Sequence, residues 1–328
     1  MPDPDAVADP ALAGALAEVL GERWGEPVEV EALGRLPGGS SRESWSCTVR
    51  RSDGSRRRVV LRRDPPAAPS SGLVLEADLL GAAADAGVPV PGLVTAAVAG
   101  GPLVSAYVIV DFVDGETIPR RVLRMVAESG TGDALAAQCG RVLAAVHTMA
   151  PASVPGLPGG DQLEQLRGLL DHLGQPHPAF ELALRHAAAN RPPRGPQVVV
   201  HGDFRTGNLL VGPDGSIRAV LDWELAHRGD PLEDLAWLCA KPWRFGSDLP
   251  VGGFGNLDAL VSAYEEAAGV TVDRGALAWW ELVETLRWGI ICIVQVLTHT
   301  SGALRSVELA AIGRRVCEVE WDVLQMLG

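Results

Sequence analysis

Positive charge is scarce in this chain of 328 residues. Lysine and arginine together number 28, against 41 aspartates and glutamates, so the formal net charge is −13. Proteins that bind nucleic acid or an anionic membrane surface rely on a surplus of basic side chains. The charge balance therefore argues against both kinds of partner.

The chain also lacks the features of a secreted or membrane protein. Its five cysteines are scattered and show no CxxC spacing, so neither a disulfide framework nor a zinc site is indicated. The N-terminus has no basic region followed by an apolar run, and the apolar run at 289–294 is far too short to cross a bilayer. We expect a cytoplasmic protein, monomeric or homodimeric.

Apolar residues make up 47% of the chain and charged residues 21%, which are values typical of globular proteins. Alternating apolar residues predict strands, and three- or four-residue spacing predicts helices. The predicted strands are 28–36, 43–51, 57–63, 92–98 and 103–112, with helices at 11–23 and 72–86. The later predicted helices are 133–149, 163–172, 179–189, 231–240, 257–268, 274–297 and 306–327. The pattern indicates an α+β chain with a small β-rich lobe over 1–112 and a larger, mainly helical lobe over 113–328.

One polar segment interrupts the helical half. A short apolar strand at 198–200 leads into a loop that carries Asp203 and Asn208, and a second short strand at 217–221 leads to Asp222. A Pro-Asp-Gly turn at 213–215 is predicted to join these two strands as a hairpin. Paired strands can bring two acids and an amide to one point. Phosphoryl transfer needs an acid that orients the attacking hydroxyl and oxygen ligands that hold magnesium. We predict Asp203 as the catalytic base, with Asn208 and Asp222 as metal ligands.

Each of these residues has an ordinary interpretation when taken alone, as a turn residue or as the aspartate that ends a strand. Their combination at this spacing favours the interpretation as a catalytic base and metal ligands. Glu224 lies two residues beyond Asp222, so it could touch metal or water, or only form a salt bridge. His201 is predicted to hold the loop rather than to take part in the reaction.

The sequence His-Gly-Asp-Phe-Arg-Thr-Gly-Asn at 201–208 resembles the catalytic loop of the aminoglycoside phosphotransferase and choline-kinase-like superfamily, whose fold is similar to that of protein kinases. Asp-Trp-Glu at 222–224 looks like its metal-binding motif, and the segment 229–236 looks like the one that follows. The chain is most similar to the branch related to the kinase-like domain of some acyl-CoA dehydrogenases. The resemblance implies a bilobal protein-kinase-like fold and Mg²⁺-dependent transfer of the γ-phosphoryl group of ATP to a hydroxyl.

The phosphate-binding residues depart from the kinase pattern. Kinases hold the α- and β-phosphates with a strand lysine, but the only lysine here is Lys241, in the wrong lobe. Arg62 stands at the expected place, and Glu76 on the following helix is its predicted ion-pair partner. Ser40 and Ser41, in a glycine-rich turn, are the predicted phosphate-loop donors.

The connector between the lobes is predicted to meet the nucleotide base. Its main chain at Asp111 and Val113 would present N–H and C=O groups to the purine edge. ATP is the expected nucleotide, and Arg62 in place of lysine leaves GTP open.

The function predicted from these residues is that of a small-molecule kinase, a phosphotransferase with an alcohol group as acceptor. An aminoglycoside acceptor would require an acidic pocket, and a hydroxy acid would require arginines such as Arg287. A choline-like acceptor would require an aromatic cage. The alternative is a pseudokinase-like module that binds nucleotide without turnover, which the missing lysine favours and the presence of Asp203, Asn208 and Asp222 disfavours.

Overall fold

The computed structural model describes residues 9–36, 42–65, 72–98 and 100–328. The chain divides into two compact units. Unit 1 comprises Met1–Gly115, Ala152–Gly156 and Arg218–Glu224. Unit 2 comprises Glu116–Pro151, Leu157–Ile217 and Leu225–Gly328. The lobe boundary between residues 112 and 113 stays a prediction.

Unit 1 is built on one antiparallel sheet of five strands in the order β1-β2-β3-β5-β4. Its strands are β1 (Glu29–Arg35), β2 (Glu43–Arg50), β3 (Arg56–Arg63), β4 (Leu93–Ala97) and β5 (Tyr107–Asp111). Its helices are α1 (Pro10–Trp24) and α2 (Leu73–Asp85). Each of these elements overlaps a predicted one, although β5 begins four residues later than predicted.

Alternation along β3 determines which side chains enter the core of unit 1. Val59 and Leu61 are fully buried in one cluster with Leu16 and Leu20 of α1. Successive side chains of a strand point to opposite faces, so Arg62 lies on the other face. The strand thus gives unit 1 its core and holds Arg62 outside it.

Unit 2 is mainly helical. The helices of its first half are α3 (Pro119–Ser129), α4 (Gly132–His147), α5 (Gln162–Leu173) and α6 (Pro178–Ala189). Those of its second half are α7 (Leu232–Cys239), α8 (Leu257–Ala268), α9 (Arg274–Thr300), α10 (Val307–Gly313) and α11 (Val316–Leu327). The mixture of sheet and helices confirms the predicted α+β class.

Short strands carry the polar segment. β6 (Val198–Val200) pairs antiparallel with β9 (His227–Gly229), and β7 (Leu209–Val211) pairs with β8 (Ile217–Val220). The Pro-Asp-Gly turn lies between β7 and β8, whereas it was predicted to join the strand at 198–200 to the strand at 217–221; that strand, β6, pairs with β9 instead. The catalytic-loop candidate therefore runs from the end of β6 to the start of β7.

The structure differs from the prediction in several elements. Helix α3 and strands β7 and β9 were not predicted. The predicted C-terminal helix is divided into α10 and α11 at Gly313. A Cβ at Gly313 would lie 2.3 Å from the side chain of Val296 in α9, so the chain approaches α9 at this point through a residue without a side chain.

Helix α9 is long and apolar enough to cross a membrane by length and composition, and it is the one such helix among the described residues. In the structure, 56% of its most apolar window is buried inside the protein. Core helices of soluble proteins pass the same test, so this helix is weak evidence for a membrane span.

Candidate active site

In unit 1, Arg62 of β3 faces two carboxylates. One branch of its guanidinium donates to Oε1 of Glu76 in α2, and the other donates to Oδ1 of Asp222 at 3.1 Å. The ion pair predicted between Arg62 and Glu76 is therefore present. Arginine makes both contacts at once because its N–H groups form a rigid fork.

Arg42, directly before β2, joins this group of charges. Its Nη1 donates to Oε2 of Glu76 at 2.7 Å, and the same nitrogen lies 3.3 Å from Glu224. Its Nε lies 3.7 Å from Asp64. We call these two arginines and four carboxylates the charge cluster; its members are Arg42, Arg62, Asp64, Glu76, Asp222 and Glu224.

Burial acts on the charges of the cluster. It raises the pKa of Glu76, because an ionised carboxylate loses its water there, and the two arginines oppose that rise. The pKa of Arg62 is raised despite burial, because the charges of Glu76 and Asp222 stabilise the guanidinium. The contacts of Glu224 with Arg42 show one of its two predicted roles, that of a salt-bridge partner.

Asp222 has a backbone conformation that few residues other than glycine adopt. Its φ is +65°, in the left-handed region, where aspartate is tolerated better than most side chains. Such a conformation costs free energy and is found where the surrounding structure requires it, often at functional sites. The side chain is about one-third exposed, so its oxygens are open to a ligand.

In unit 2, both carboxylate oxygens of Asp203 are held. Oδ1 accepts from Nε1 of Trp237 at 2.8 Å and from Nε of Arg205 at 3.0 Å. Oδ2 accepts from Nδ2 of Asn208 at 2.6 Å. Two χ angles of Asp203 are thereby fixed, and one of its three partners is a charged guanidinium.

Asn208 is oriented by the same loop. It belongs to a short 3₁₀ helix, Thr206–Asn208, and its Nδ2 also donates to the main-chain oxygen of Asp203 at 2.9 Å. With the nitrogen used in this way, the amide oxygen has no hydrogen-bond partner among the residues that the structure describes. That oxygen is the atom a magnesium ion would require.

The main chain before Asp203 is fixed by a buried carboxylate. Asp234 of α7 accepts from the amide of His201 at 2.7 Å and from the amide of Gly202 at 2.9 Å. His147 lies 3.3 Å from the same carboxylate, and it lowers the pKa of Asp234 against the effect of burial. His201 is fully buried, and its Nδ1 accepts from the amide of Asp203 at 3.1 Å. These contacts give His201 the loop-holding position predicted for it.

Gly202 is required by its surroundings. Its φ is +78°, and a Cβ would lie 2.3 Å from the main-chain oxygen of Leu225. Its own carbonyl accepts from Nη2 of Arg287 at 2.7 Å. The residue before the predicted base can therefore carry no side chain.

Arg287 is mostly buried, and its guanidinium has several partners. It donates to Glu284 at 2.9 Å, and its guanidinium lies 4.5 Å from the ring centroid of Trp237. Burial raises the pKa of Glu284 to about 7, opposed by the charge of Arg287 and by a hydrogen bond from Gln162. Arg287 thus contacts the catalytic-loop candidate, rather than lying free for a hydroxy acid.

The remaining predicted site residues belong to the nucleotide side. The side chain of Asp111 forms two hydrogen bonds to Arg57, at 2.7 and 2.9 Å, and its amide donates to Gly92. The main chain of Val113 forms no hydrogen bond with any residue in the described part of the chain. Ser40 and Ser41 lie outside the described residues. The roles predicted for these four residues stay predictions.

Sequence reasoning did not find Arg42 or Trp237. The only sequence signal for Arg42 is its place directly after the glycine-serine run. Arg42 and Arg62 are far apart in the chain, so the sequence does not show that both bind Glu76. Trp237 is one of nine tryptophans. Only the position of α7 shows that its indole nitrogen points to Asp203.

The donor groups suit magnesium rather than a softer metal. Among the residues that the structure describes, no group of three or more His, Cys, Asp or Glu side chains could hold a metal. Mg²⁺ in phosphoryl-transfer sites needs only one or two protein ligands, because it keeps water and binds substrate phosphates. Asn208 and Asp222 each offer a hard oxygen of this kind.

A comparison with protein families decides the class of the chain. The model of the family described as "Phosphotransferase enzyme family" matches residues 40–280, which is most of the chain. The chain belongs to this family. The match confirms the predicted resemblance and makes the protein a phosphotransferase by family.

Curated relatives match over shorter stretches. Acyl-CoA dehydrogenase family member 10 of Mus musculus is 37% identical over 82 residues, which is 25% of this chain and 8% of that protein. Acyl-CoA dehydrogenase family member 11 of Gallus gallus is 42% identical over 62 residues, 18% of this chain and 8% of that protein. The matches thus span about a tenth of the length of these relatives.

Solved structures share the fold over nearly the whole chain. A candidate aminoglycoside phosphotransferase from Ralstonia eutropha has a TM-score of 0.73 at 22% identity, covering 95% of this chain and 98% of that one. Spectinomycin phosphotransferase, solved with ADP and spectinomycin, has a TM-score of 0.67 at 14% identity, covering 97% and 100%. At these identities the likeness shows the fold, and it confirms the predicted protein-kinase-like architecture.

Proposed function

We propose that this phosphotransferase is an ATP- and Mg²⁺-dependent kinase whose acceptor is the hydroxyl of a small anionic metabolite. The observation that carries the proposal is the geometry of Asp203. Its carboxylate is fixed at both oxygens, in a loop whose main chain is held by the buried Asp234. A carboxylate held in this way can orient a hydroxyl for in-line attack on a phosphoryl group.

The residues of the chain take the following parts in the proposed reaction. Asp203 accepts a hydrogen bond from the acceptor hydroxyl and takes its proton as the phosphoryl group is transferred. Arg62, held by Glu76, neutralises phosphate oxygens of the nucleotide. Asn208 and Asp222 would hold Mg²⁺, which would supply positive charge to neutralise the transferred group and the leaving phosphate.

The other nucleotide contacts are proposed from their positions. The unengaged main chain of Val113 is free to bond a purine edge, whereas the amide of Asp111 is already used by Gly92. Ser40 and Ser41 are proposed as donors to the phosphates from the sequence alone. A comparison of ATP with GTP in the assay below tests the nucleotide preference.

The charge beside Asp203 favours an anionic acceptor. Arg205 donates to Oδ1 of Asp203, and its guanidinium lies 4.6 Å from the ring centroid of Trp243. An acceptor hydroxyl bound to Asp203 would lie close to this positive charge. The remaining N–H groups of Arg205 can donate to a carboxylate or phosphate on the acceptor, whereas an ammonium group of an aminoglycoside offers no acceptor to them. We therefore propose a hydroxy acid or a related hydroxylated anion, acting in the cytoplasm.

The proposal is tested with purified protein, Mg²⁺ and ATP or GTP against a panel of hydroxy acids, aminoglycosides and choline. Phosphorylated product is detected by mass spectrometry and ³¹P NMR. We expect product from hydroxy acids and a loss of roughly 10²- to 10⁴-fold in kcat for Asp203→Ala. Asp248→Asn, a change at an exposed aspartate, is the matched control and should leave kcat unchanged.

Two results would contradict the proposal. Phosphorylation of aminoglycosides alone would show that the anionic acceptor is wrong. A nucleotide-dependent rise in Tm with no product from any acceptor would favour the alternative, a module that binds nucleotide without turnover.

A further inference from the structure

The charge cluster of unit 1 contains one carboxylate shared by two arginines. Oε1 of Glu76 accepts from Arg62 and Oε2 accepts from Arg42. The side chains of Glu76 and Arg42 are almost fully buried, whereas that of Arg62 is 21% exposed. Glu76 therefore has one partner in the interior and one partner toward the surface.

The cluster has more negative than positive charge. Its two arginines face four carboxylates, an excess of two negative charges. Asp64 and Glu76 are buried, while Asp222 and Glu224 are each 34% exposed in their side chains. The two partly exposed carboxylates thus lie on the side of the cluster that a divalent cation can reach. In the structure, Arg62 occupies that place on Asp222.

We propose that Arg62 is a removable counter-ion of Asp222, and that Arg42 is the positioning residue that allows its removal. This inference rests on the proposed function. In the free protein the fork of Arg62 bridges Glu76 and Asp222. When metal and nucleotide bind, Arg62 leaves Asp222 and turns to the phosphates. Arg42 stays on Glu76, so the buried carboxylate keeps a cationic partner while Arg62 moves.

This arrangement gives a physical reason for arginine in place of lysine. The ammonium of a lysine would have to serve Glu76 and Asp222 from one nitrogen, whereas the guanidinium uses a separate nitrogen for each. One nitrogen of Arg62 can therefore leave Asp222 while the other stays on Glu76. The second arginine is equally necessary. Without Arg42, Arg62 would be the main cationic partner of the buried Glu76, and sharing Arg62 with the phosphates would weaken the compensation of that buried charge.

The proposal has a thermodynamic consequence. Metal and Arg62 compete for Asp222 in the free protein, and the nucleotide relieves the competition by attracting Arg62. Metal and nucleotide should therefore each raise the affinity for the other, with a coupling of about 5- to 150-fold, which is typical of linked sites. The coupling should depend on both arginines.

The experiment measures the Kd of Mn²⁺, used in place of Mg²⁺, by electron paramagnetic resonance with and without a non-hydrolysable ATP analogue. Arg62→Gln should bind Mn²⁺ about fivefold more tightly than the wild type without nucleotide, since one partly exposed ion pair no longer competes. Arg42→Gln should reduce the coupling between metal and nucleotide at least fivefold. Arg42→Lys should restore part of it, because it returns a cation to Glu76.

Arg56→Gln is the matched control. Arg56 lies on the same strand as Arg62 but pairs with the exposed Glu31, outside the cluster. It should match the wild type in both measurements. Circular dichroism and Tm establish that each variant is folded, and Arg42→Lys keeps the test valid if Arg42→Gln does not fold.

Two results would overturn the inference. Mn²⁺ binding by Arg62→Gln no tighter than by the wild type would show that Arg62 does not compete with metal. Full coupling in Arg42→Gln would remove the role of Arg42. Either result together with wild-type kinase turnover contradicts the inference alone, whereas wild-type coupling without any phosphorylated product contradicts only the proposed function.

Discussion

The catalytic-loop candidate of unit 2 and the charge cluster of unit 1 are held in different ways. The loop is fixed mainly through its main chain, by Asp234 and Arg287, whose side chains are buried. The cluster is fixed through side-chain ion pairs, and the link between Arg62 and Asp222 is partly exposed to solvent. Main-chain hydrogen bonds in a dry interior resist rearrangement, whereas exposed ion pairs exchange at little cost.

This difference indicates a division of tasks. A residue that orients a hydroxyl gains from a fixed geometry, because small displacements of the reacting atoms lower the rate strongly. Residues that bind metal and phosphates must accept charges that arrive and leave with each turnover. We therefore expect variants of the loop to lose stability as well as rate, and variants of the cluster to change mainly ligand affinity.

Arg287→Gln should give the largest loss of stability in the loop. It leaves the fully buried Glu284 without its cation, and removing one partner of a buried ion pair costs about 3–5 kcal/mol. The carbonyl of Gly202 loses its donor as well. Chemical denaturation measures the free energy of unfolding, and the matched control is Arg274→Gln, which breaks an exposed pair with Asp258.

The double variant Arg287→Gln with Glu284→Gln removes both charges. It should recover part of the lost stability, because the uncompensated carboxylate is gone. If the single and double variants lose the same free energy of unfolding, the ion pair does not hold the loop, and the contrast with the charge cluster fails.

Gly202→Ala should give the next largest effect. A methyl group at this position would lie 2.3 Å from the main-chain oxygen of Leu225, at a φ of +78°. Strain and overpacking together should cost about 2–4 kcal/mol. Gly302→Ala is a close control, because its φ is +82° but no atom lies within 4 Å of the added carbon, so only the strain of about 1 kcal/mol remains.

Thermal unfolding of the two alanine variants separates these contributions. A clearly larger loss of Tm for Gly202→Ala than for Gly302→Ala is expected. Equal losses would mean that the loop yields around position 202, and that it is no more rigid than a surface turn.

The sequence predicted the loop better than the cluster for a physical reason. Asp203 and Asn208 lie five positions apart, so both belong to one local motif that can be recognised in the sequence. Arg42 and Arg62 are brought to the same carboxylate by the register of β2 and β3, in which Ser44 lies opposite Arg62. Such a register is a property of the folded sheet and no spacing in the chain reveals it.

The same distinction holds for the fold. Strand β3 was predicted because it carries the local apolar run Val59-Val60-Leu61, which is rich in β-branched residues. The division between α10 and α11 was missed because it depends on the contact of Gly313 with Val296, which is a tertiary contact. Strand β9 was missed because three residues that include a glycine form too short a pattern.

The pH dependence of stability gives the most direct test of burial in the loop region. The pKa of Glu284 is raised from 4.5 to about 7 by burial, so the folded protein binds this proton more tightly than the unfolded chain. Its contribution to stability is fully present below pH 4.5 and is lost as the pH rises to about 7. The free energy of unfolding of the wild type should include this decline, and Glu284→Gln should remove it.

The control for this measurement is Glu266→Gln, since Glu266 is an exposed glutamate on α8. It should keep the wild-type slope between pH 5 and 8, a range of about three units around the raised pKa. An unchanged slope in Glu284→Gln would mean that water or a stronger pairing with Arg287 keeps this carboxylate ionised. The ion pair that supports the loop would then resemble the exchangeable ion pairs of the charge cluster. The two units would no longer differ in how their site residues are held.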